Sequence, residues 1–224
     1  MLALVMYDLD GTLIDTAGEI AQAVNLTMQD FGLDAIDENQ IRDWIGQGTG
    51  WLMRQAWAAQ EGPSREISSD AVMQRFSHHY DVCAGTSSQL YPFVRETLNK
   101  VKVLGVKQAV ITNKEKRFTE RILDCHGLGK VFDLVISGDT LAVKKPDAAV
   151  IQHCLEILQE TPANSLFVGD SEIDMATAKN AGIVCWAVPY GYNCGRPIAE
   201  ARPDRLVADI RAVPDYCSNV VMSM

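Results

Sequence analysis

A chain of 224 residues that is 47% hydrophobic has enough apolar material for one large domain, or for a core domain carrying a smaller insertion. Its formal net charge of −9 and the absence of a basic cluster make a surface that repels nucleic acid and anionic membranes, so an anionic ligand needs a local site. Six cysteines without a C-x-x-C pair read as reduced thiols; with no basic leader and no apolar run of membrane-spanning length, they predict a soluble, cytoplasmic protein.

In chain order, residues 2–10 (LALVMYDLD) form an apolar run that stops at Asp8 and Asp10. Four further runs rich in β-branched residues end at polar or glycine clusters: VKQAVITN (106–113), FDLVISGD (132–139), SLFVGDSE (165–172) and IVCWAVPYG (183–191). Such short, continuous apolar runs read as strands of a parallel sheet buried on both faces. Segments of helical length lie between them, such as Glu115 to Cys125 and Asp147 to Leu158, and the alternation predicts βαβ units with right-handed crossovers. The expected fold class is α/β, with a doubly wound, mainly parallel Rossmann-like sheet.

One interval departs from this pattern. Ile20, Val24, Met28 and Phe31, and later Ile41, Ile45 and Met53, recur at helical spacing between about Thr16 and Leu90, and no strand is evident there. The interval reads as an all-helical insertion, residues 16–90, in a core made of residues 1–15 and 91–224. The stretch CAGTSSQLYP (83–92) supplies the return hinge.

Ligands of open α/β sheets bind outside the carboxyl ends of the strands. Those ends carry Asp8 and Asp10, Thr112 and Asn113, Ser137 to Asp139 with Lys145 beyond them, and Asp170 with Asp174. Local explanations exist: Thr112-x-x-Glu115, Ser171-x-x-Asp174 and Thr16-x-x-Glu19 all fit a helix capping box, and Asp and Gly are ordinary turn formers. Three carboxylates facing one crevice nevertheless repel one another unless a cation lies between them, and a hard divalent ion, Mg2+ before others, resolves that repulsion. An ammonium and a hydroxyl on the same rim suit a tetrahedral oxyanion, and a carboxylate is a competent nucleophile for phosphoryl transfer. The chain has no G-x-x-x-x-G-K-S/T loop, so a nucleotide P-loop does not supply the phosphate.

DLDGTLID (8–15), ITN (111–113), KKP (144–146) and GDSEID (169–174) resemble, in order, the four motifs of the haloacid dehalogenase superfamily of aspartate-dependent phosphohydrolases. The insertion sits where that superfamily carries a C1-type cap. IRDWIGQGTGWLM (41–53) in the insertion and PYGYNCGRPIAEARPDRLV (189–207) near the C-terminus are similar to segments of phosphoglycolate phosphatases. The resemblance implies that Asp8 attacks phosphorus, and that Asp10 protonates the leaving alkoxide and then activates water. It implies that Thr112 and Asn113 bind phosphoryl oxygens beside the Gly11 amide, and that Lys145, rather than the adjacent Lys144, neutralises them. Asp170 then holds Mg2+ with Asp8 and the Asp10 carbonyl, while Asp174 orients the metal's surroundings or Lys145.

The implied substrate is a small anionic phosphorylated metabolite, 2-phosphoglycolate first, turned over by a monomer or homodimer. Another phosphotransferase of the same superfamily (a sugar-phosphate phosphatase, a β-phosphoglucomutase-like mutase or a pyrophosphatase) and a non-catalytic binding protein stay open. Three departures from the family pattern stand out: Pro146 is followed by DAAV instead of completing K-P-x-P, Phe93 replaces a usual glycine, and Tyr7 replaces a common phenylalanine.

GQGTG (46–50) follows a helix-like segment, which fits a turn closing over the site better than a dinucleotide loop. Arg54, one helical turn on, is placed either to meet a substrate carboxylate or to remain an ordinary solvated arginine. The four histidines form no ligand pattern, and Trp44, Trp51 and Trp57 read as packing residues of the insertion.

Overall fold

The apolar N-terminal run becomes β1 (Leu4–Tyr7), wholly buried, in a computed structural model that describes residues 2–60 and 68–221. The chain turns through Gly11 into the two-residue β2 (Ile14–Asp15) and then enters four helices: α1 (Ala17–Asp30), α2 (Glu38–Arg42), α3 (Thr49–Ala58) and α4 (Ser69–Cys83). It returns through β3 (Gln89–Leu90), which pairs antiparallel with β2, Ile14 opposite Leu90 and Asp15 opposite Gln89. The predicted return hinge therefore contains the second strand of a small antiparallel pair, which corrects the expectation of no strand before Leu90. Two-residue strands are too short to show a period of two.

Beyond it the α/β alternation runs α5 (Val94–Val103), β4 (Lys107–Ile111), α6 (Lys116–Cys125), β5 (Leu134–Ile136), α7 (Ala149–Leu158), β6 (Ser165–Gly169), α8 (Glu172–Ala181) and β7 (Val184–Ala187). A further short strand, β8 (Arg205–Leu206), and α9 (Ala212–Val221) follow. The main sheet has the order β5-β4-β1-β6-β7-β8 with every pairing parallel, so all five expected strands are present and β8 is added at one edge.

Alternation along β1 divides the core. Leu4 and Met6 face Ile151 of α7 and Met175 of α8 in one cluster, while Val5 and Tyr7 face the other, with Leu98 of α5, Phe118 of α6 and the insertion helices. Burying each large aliphatic or aromatic side chain contributes about 1.5–3 kcal/mol, which is what fixes the register. The Tyr7 hydroxyl, buried where a phenylalanine needs no partner, donates to Gln108 Oε1 of β4 at 3.4 Å.

Two local breaks are legible in the backbone. Gly46 and Gly48 adopt φ of 111° and 86°, so the periodicity linking Ile41, Ile45 and Met53 is interrupted between α2 and α3. Phe93, just before α5, has φ of 68°, the left-handed conformation that a glycine adopts freely. Among the described residues no helix is long and apolar enough to cross a membrane, and the six cysteines are unpaired.

Candidate active site

β1 lies between β4 and β6, so the strand order reverses direction at β1 and a crevice opens at its carboxyl end. Asp8 follows β1, Thr112 follows β4 and Asp170 follows β6; Asp174 stands in the first turn of α8. Asp8, Asp170 and Asp174 are all buried, and each offers a carboxylate oxygen within 4.8 Å of the others. Backbone without Cβ atoms makes this crowding possible. A Cβ on Gly11 or Gly191 would overlap the Asp170 carboxylate, and one on Gly169 would overlap Asp174.

Lys145 balances part of the charge. Its Nζ donates to Asp8 Oδ1 at 2.6 Å and to Asp174 Oδ1 at 2.7 Å. Burial works to lower the ammonium's pKa, but the two carboxylates outweigh it and hold Lys145 protonated above its ordinary range. Lys144 is exposed, so the choice between the two lysines falls on Lys145. The Asp8 carboxyl is pushed up to about 7, first by burial; Lys145 opposes the rise, and Asp174 and Asp10 add to it. Burial, then Asp174 and Asp8, drive Asp170 well above the carboxylate range, against the hydrogen bonds from the Thr12 hydroxyl and the Tyr192 N–H.

Three buried carboxylates facing a single ammonium leave negative charge that a cation would neutralise. The donor set is all oxygen, the ligand type of Mg2+, and its three oxygens lie within 4.8 Å of one another. The residues therefore fit a hard divalent ion. Asp174 also closes a real capping box with Ser171 at the start of α8, so the local and the site explanations both hold for this residue.

The Asp10 carboxylate is not in that cluster. Its Oδ1 accepts the Thr16 hydroxyl at 2.6 Å and lies 3.2 Å from Lys114 Nζ. Thr16 thus serves Asp10 rather than capping α1, and Glu19 accepts the main-chain N–H groups of Gly85 and Ser88 on Oε2 instead of completing a box. Thr112 likewise caps no helix: its hydroxyl oxygen accepts the Lys114 N–H at 3.2 Å, and α6 begins after Glu115.

The remaining expected residues divide. Thr112 lines the crevice with Asp8 and Asp10. The Asn113 side chain is engaged in structure: Oδ1 accepts the Lys145 N–H at 2.9 Å, and Nδ2 donates to the Lys145 carbonyl and to the Gly46 carbonyl of the insertion. The Gly11 N–H donates to the Ile14 carbonyl, whereas the Leu9 and Asp10 N–H groups have no acceptor among the described residues. Arg54 is exposed, stacks on Trp51 and faces a surface hollow between α3 and α4, away from the crevice. The buried face of α3 carries Leu52, Met53 and Ala56, and that phase turns residue 54 outward. Asp139 also lies outside, accepting the Lys116 N–H at the start of α6, and Asp147 receives the Ala149 N–H beside Ala148, the position of the family's second proline.

The crevice is roofed by the insertion. Ile20, Trp44, Ile45, Leu52 and Phe76 close it, and the glycine turn docks through Gly46 on Asn113 and through the Thr49 hydroxyl on Glu115. Residues that sequence reasoning missed are Thr12, Thr16, Lys114, Tyr80 and Tyr192. Their partners lie far away in sequence, and only DLDGTLID and the Y-G-Y-N stretch carried any signal for them.

The sequence profile described as haloacid dehalogenase-like hydrolase matches residues 5–188. A phosphoglycolate phosphatase of Pseudomonas syringae pv. tomato is 38% identical over 220 residues, covering 96% of this chain and 79% of that protein. Phosphoglycolate phosphatase 1 of Pseudomonas aeruginosa is 39% identical over 210 residues, covering 93% and 77%. The crystal structure of a predicted phosphoglycolate phosphatase from Haemophilus somnus superposes with a TM-score of 0.90 at 32% identity, covering 96% of this chain and 97% of the other. With the strand-end aspartates, the buried lysine and a profile match over most of its length, the chain belongs to the haloacid dehalogenase-like hydrolase family.

Proposed function

We propose that this protein is a Mg2+-dependent phosphomonoesterase that hydrolyses 2-phosphoglycolate through an aspartyl phosphate on Asp8. One observation carries the reading. Asp8 belongs to a carboxylate–lysine cluster that can neutralise a phosphoryl group, and a separate carboxylate, Asp10, is held outside that cluster two residues on. The substrate assignment is supported by the names and coverage of the relatives.

Asp8 Oδ1 is fixed by Lys145, and Oδ2 attacks phosphorus. The bond to the ester oxygen breaks as protonated Asp10 gives its proton to that oxygen, and the alcohol departs. Asp10 then takes a proton from water, whose oxygen attacks the phosphorus of the aspartyl phosphate and restores the Asp8 carboxylate. Such proton transfer contributes roughly 10²- to 10⁴-fold. Asp8, Asp170, Asp174 and the Asp10 carbonyl would hold a magnesium ion, which would supply positive charge against the phosphoryl oxygens. Lys145, the Thr112 hydroxyl and the N–H groups of Leu9 and Asp10 bind the remaining oxygens, the last two replacing Gly11 in that role. Residues 16–90 act as the cap that shuts bulk water out, and the protein works in the cytoplasm, in keeping with its unpaired cysteines.

The test is phosphate release from a panel of phosphomonoesters with Mg2+ present. The expected result is the highest kcat/KM for 2-phosphoglycolate and its loss in Asp8→Asn. No release from any ester, or full activity of Asp8→Asn, overturns the reading.

A further inference from the structure

The mechanism leaves one buried cation of the crevice without a role. Lys114, just past β4, is 6% exposed and lines the crevice beside Asp10, Tyr80 and Thr112. Its Nζ donates to the Tyr80 hydroxyl of α4 and lies 3.2 Å from Asp10 Oδ1. An ammonium has three donors, and the third has no acceptor among the described residues. A buried ammonium with an unanswered donor, in a crevice otherwise walled by Ile20, Leu52 and Phe76, is a site for an anion.

The position says which anion. Asp10 marks the ester oxygen in the proposed reaction, and Lys114 Nζ stands one hydrogen-bond length beyond Asp10. A charged group one carbon removed from the ester-bearing carbon lies within roughly 4 Å of the ester oxygen, about three covalent bonds away.

We propose that Lys114, braced by Tyr80, is the specificity determinant of this enzyme and binds a carboxylate carried by the leaving group. This rests on the phosphatase reading above and assigns the carboxylate contact that the sequence offered to Arg54, which faces away. Tyr80 is fully buried, with its ring against Phe76 and Phe118, so the insertion delivers a rigid hydroxyl to the ammonium. Closure of the insertion and recognition of the carboxylate then occur together, since the hydroxyl comes from α4 and the ammonium from the core.

The experiment compares kcat/KM for 2-phosphoglycolate and for 2-hydroxyethyl phosphate, the uncharged analogue with CH2OH in place of the carboxylate. The wild-type protein should favour the carboxylate ester, and Lys114→Met should reduce that preference by roughly 10- to 100-fold, as expected for a hydrogen bond between charged groups. Loss of the Asp10 contact slows both esters alike and cancels in the ratio. Tyr80→Phe, which keeps the buried ring, should move the ratio the same way by up to roughly tenfold, and it carries the test if Lys114→Met does not fold. An equal loss on both esters, with the ratio unchanged within about twofold, overturns the proposal and leaves Lys114 as a residue that only positions Asp10. A wild-type protein that hydrolyses both esters equally overturns it too and leaves the phosphatase reading standing, whereas failure on every phosphomonoester overturns both.

Discussion

The main-chain N–H of Tyr192 donates to Asp170 Oδ2 at 2.6 Å, while the hydroxyl of the same tyrosine accepts the N–H groups of Thr16 and Ala17 at 2.9 and 3.1 Å and donates to Asp15. One residue thus fastens a carboxylate of the cluster to the foot of α1, where the insertion begins. Tyr192→Phe keeps the N–H on Asp170 but strands the buried Thr16 N–H, while the Ala17 N–H retains Asp15 Oδ1 at 3.2 Å, so it should cost about 1–3 kcal/mol of stability. Urea unfolding measures that loss, and calorimetric titration with Mg2+ should show a metal affinity changed by less than about twofold. A tenfold fall in Mg2+ affinity would show that the hydroxyl, and not the main chain, sets the geometry of Asp170.

Lys145→Met removes the ammonium that pairs with Asp8 and Asp174 and leaves two buried carboxylates without their common partner. The expected cost without metal is about 3–5 kcal/mol, with activity lost. Added Mg2+ should restore part of the stability by binding the folded form alone. Unfolding curves with and without Mg2+ check both statements.

Glu19 carries the pH prediction. Burial raises its pKa above the ordinary glutamate value, with Lys114 and the N–H groups of Gly85 and Ser88 opposing the rise and Asp10 adding to it. A carboxyl whose folded-state pKa exceeds its unfolded value binds its proton more tightly when folded. Its contribution is therefore full below the unfolded pKa and is lost as pH climbs through the folded one. Glu19→Gln should gain stability relative to the wild-type protein as pH rises from about 4 to 7, with the two converging at the acid end. A difference independent of pH would contradict the assignment.

Phe93 isolates a backbone cost. At φ of 68° its ring lies under the Arg211 guanidinium, 3.8 Å from the ring centre. Phe93→Gly and Phe93→Ala both lose that contact, but only glycine accepts the left-handed conformation without a Cβ penalty. Phe93→Gly should therefore be the more stable of the two by roughly 1 kcal/mol, measured by urea unfolding.

The five principal strands were readable because strands buried on both faces are continuous apolar runs, and their ends were readable because the ladder stops where polar residues begin. Asp8, Asp170, Asp174 and Lys145 belong to those ends and to the loops beyond them. β2, β3 and β8 were not readable, since two residues carry no period and exist as strands only through their partners. Lys114 was hidden for a related reason: its meaning comes from Tyr80, which reaches it from the insertion. Asn113 and Arg54 show how context redirects a side chain. A suitable functional group stood at a suitable place in the chain, but a carbonyl of the insertion took the one and helix phase turned the other outward.

The most direct test of the central claim uses Asp10→Asn protein with Mg2+ and p-nitrophenyl phosphate, whose leaving group needs no acid. Asp8 is then free to be phosphorylated while hydrolysis lacks its base. After acid quenching and borohydride reduction of any acyl phosphate, peptide mass spectrometry should find homoserine at position 8. Nitrophenol release with position 8 still aspartate, or reduction at another carboxylate, would contradict the account.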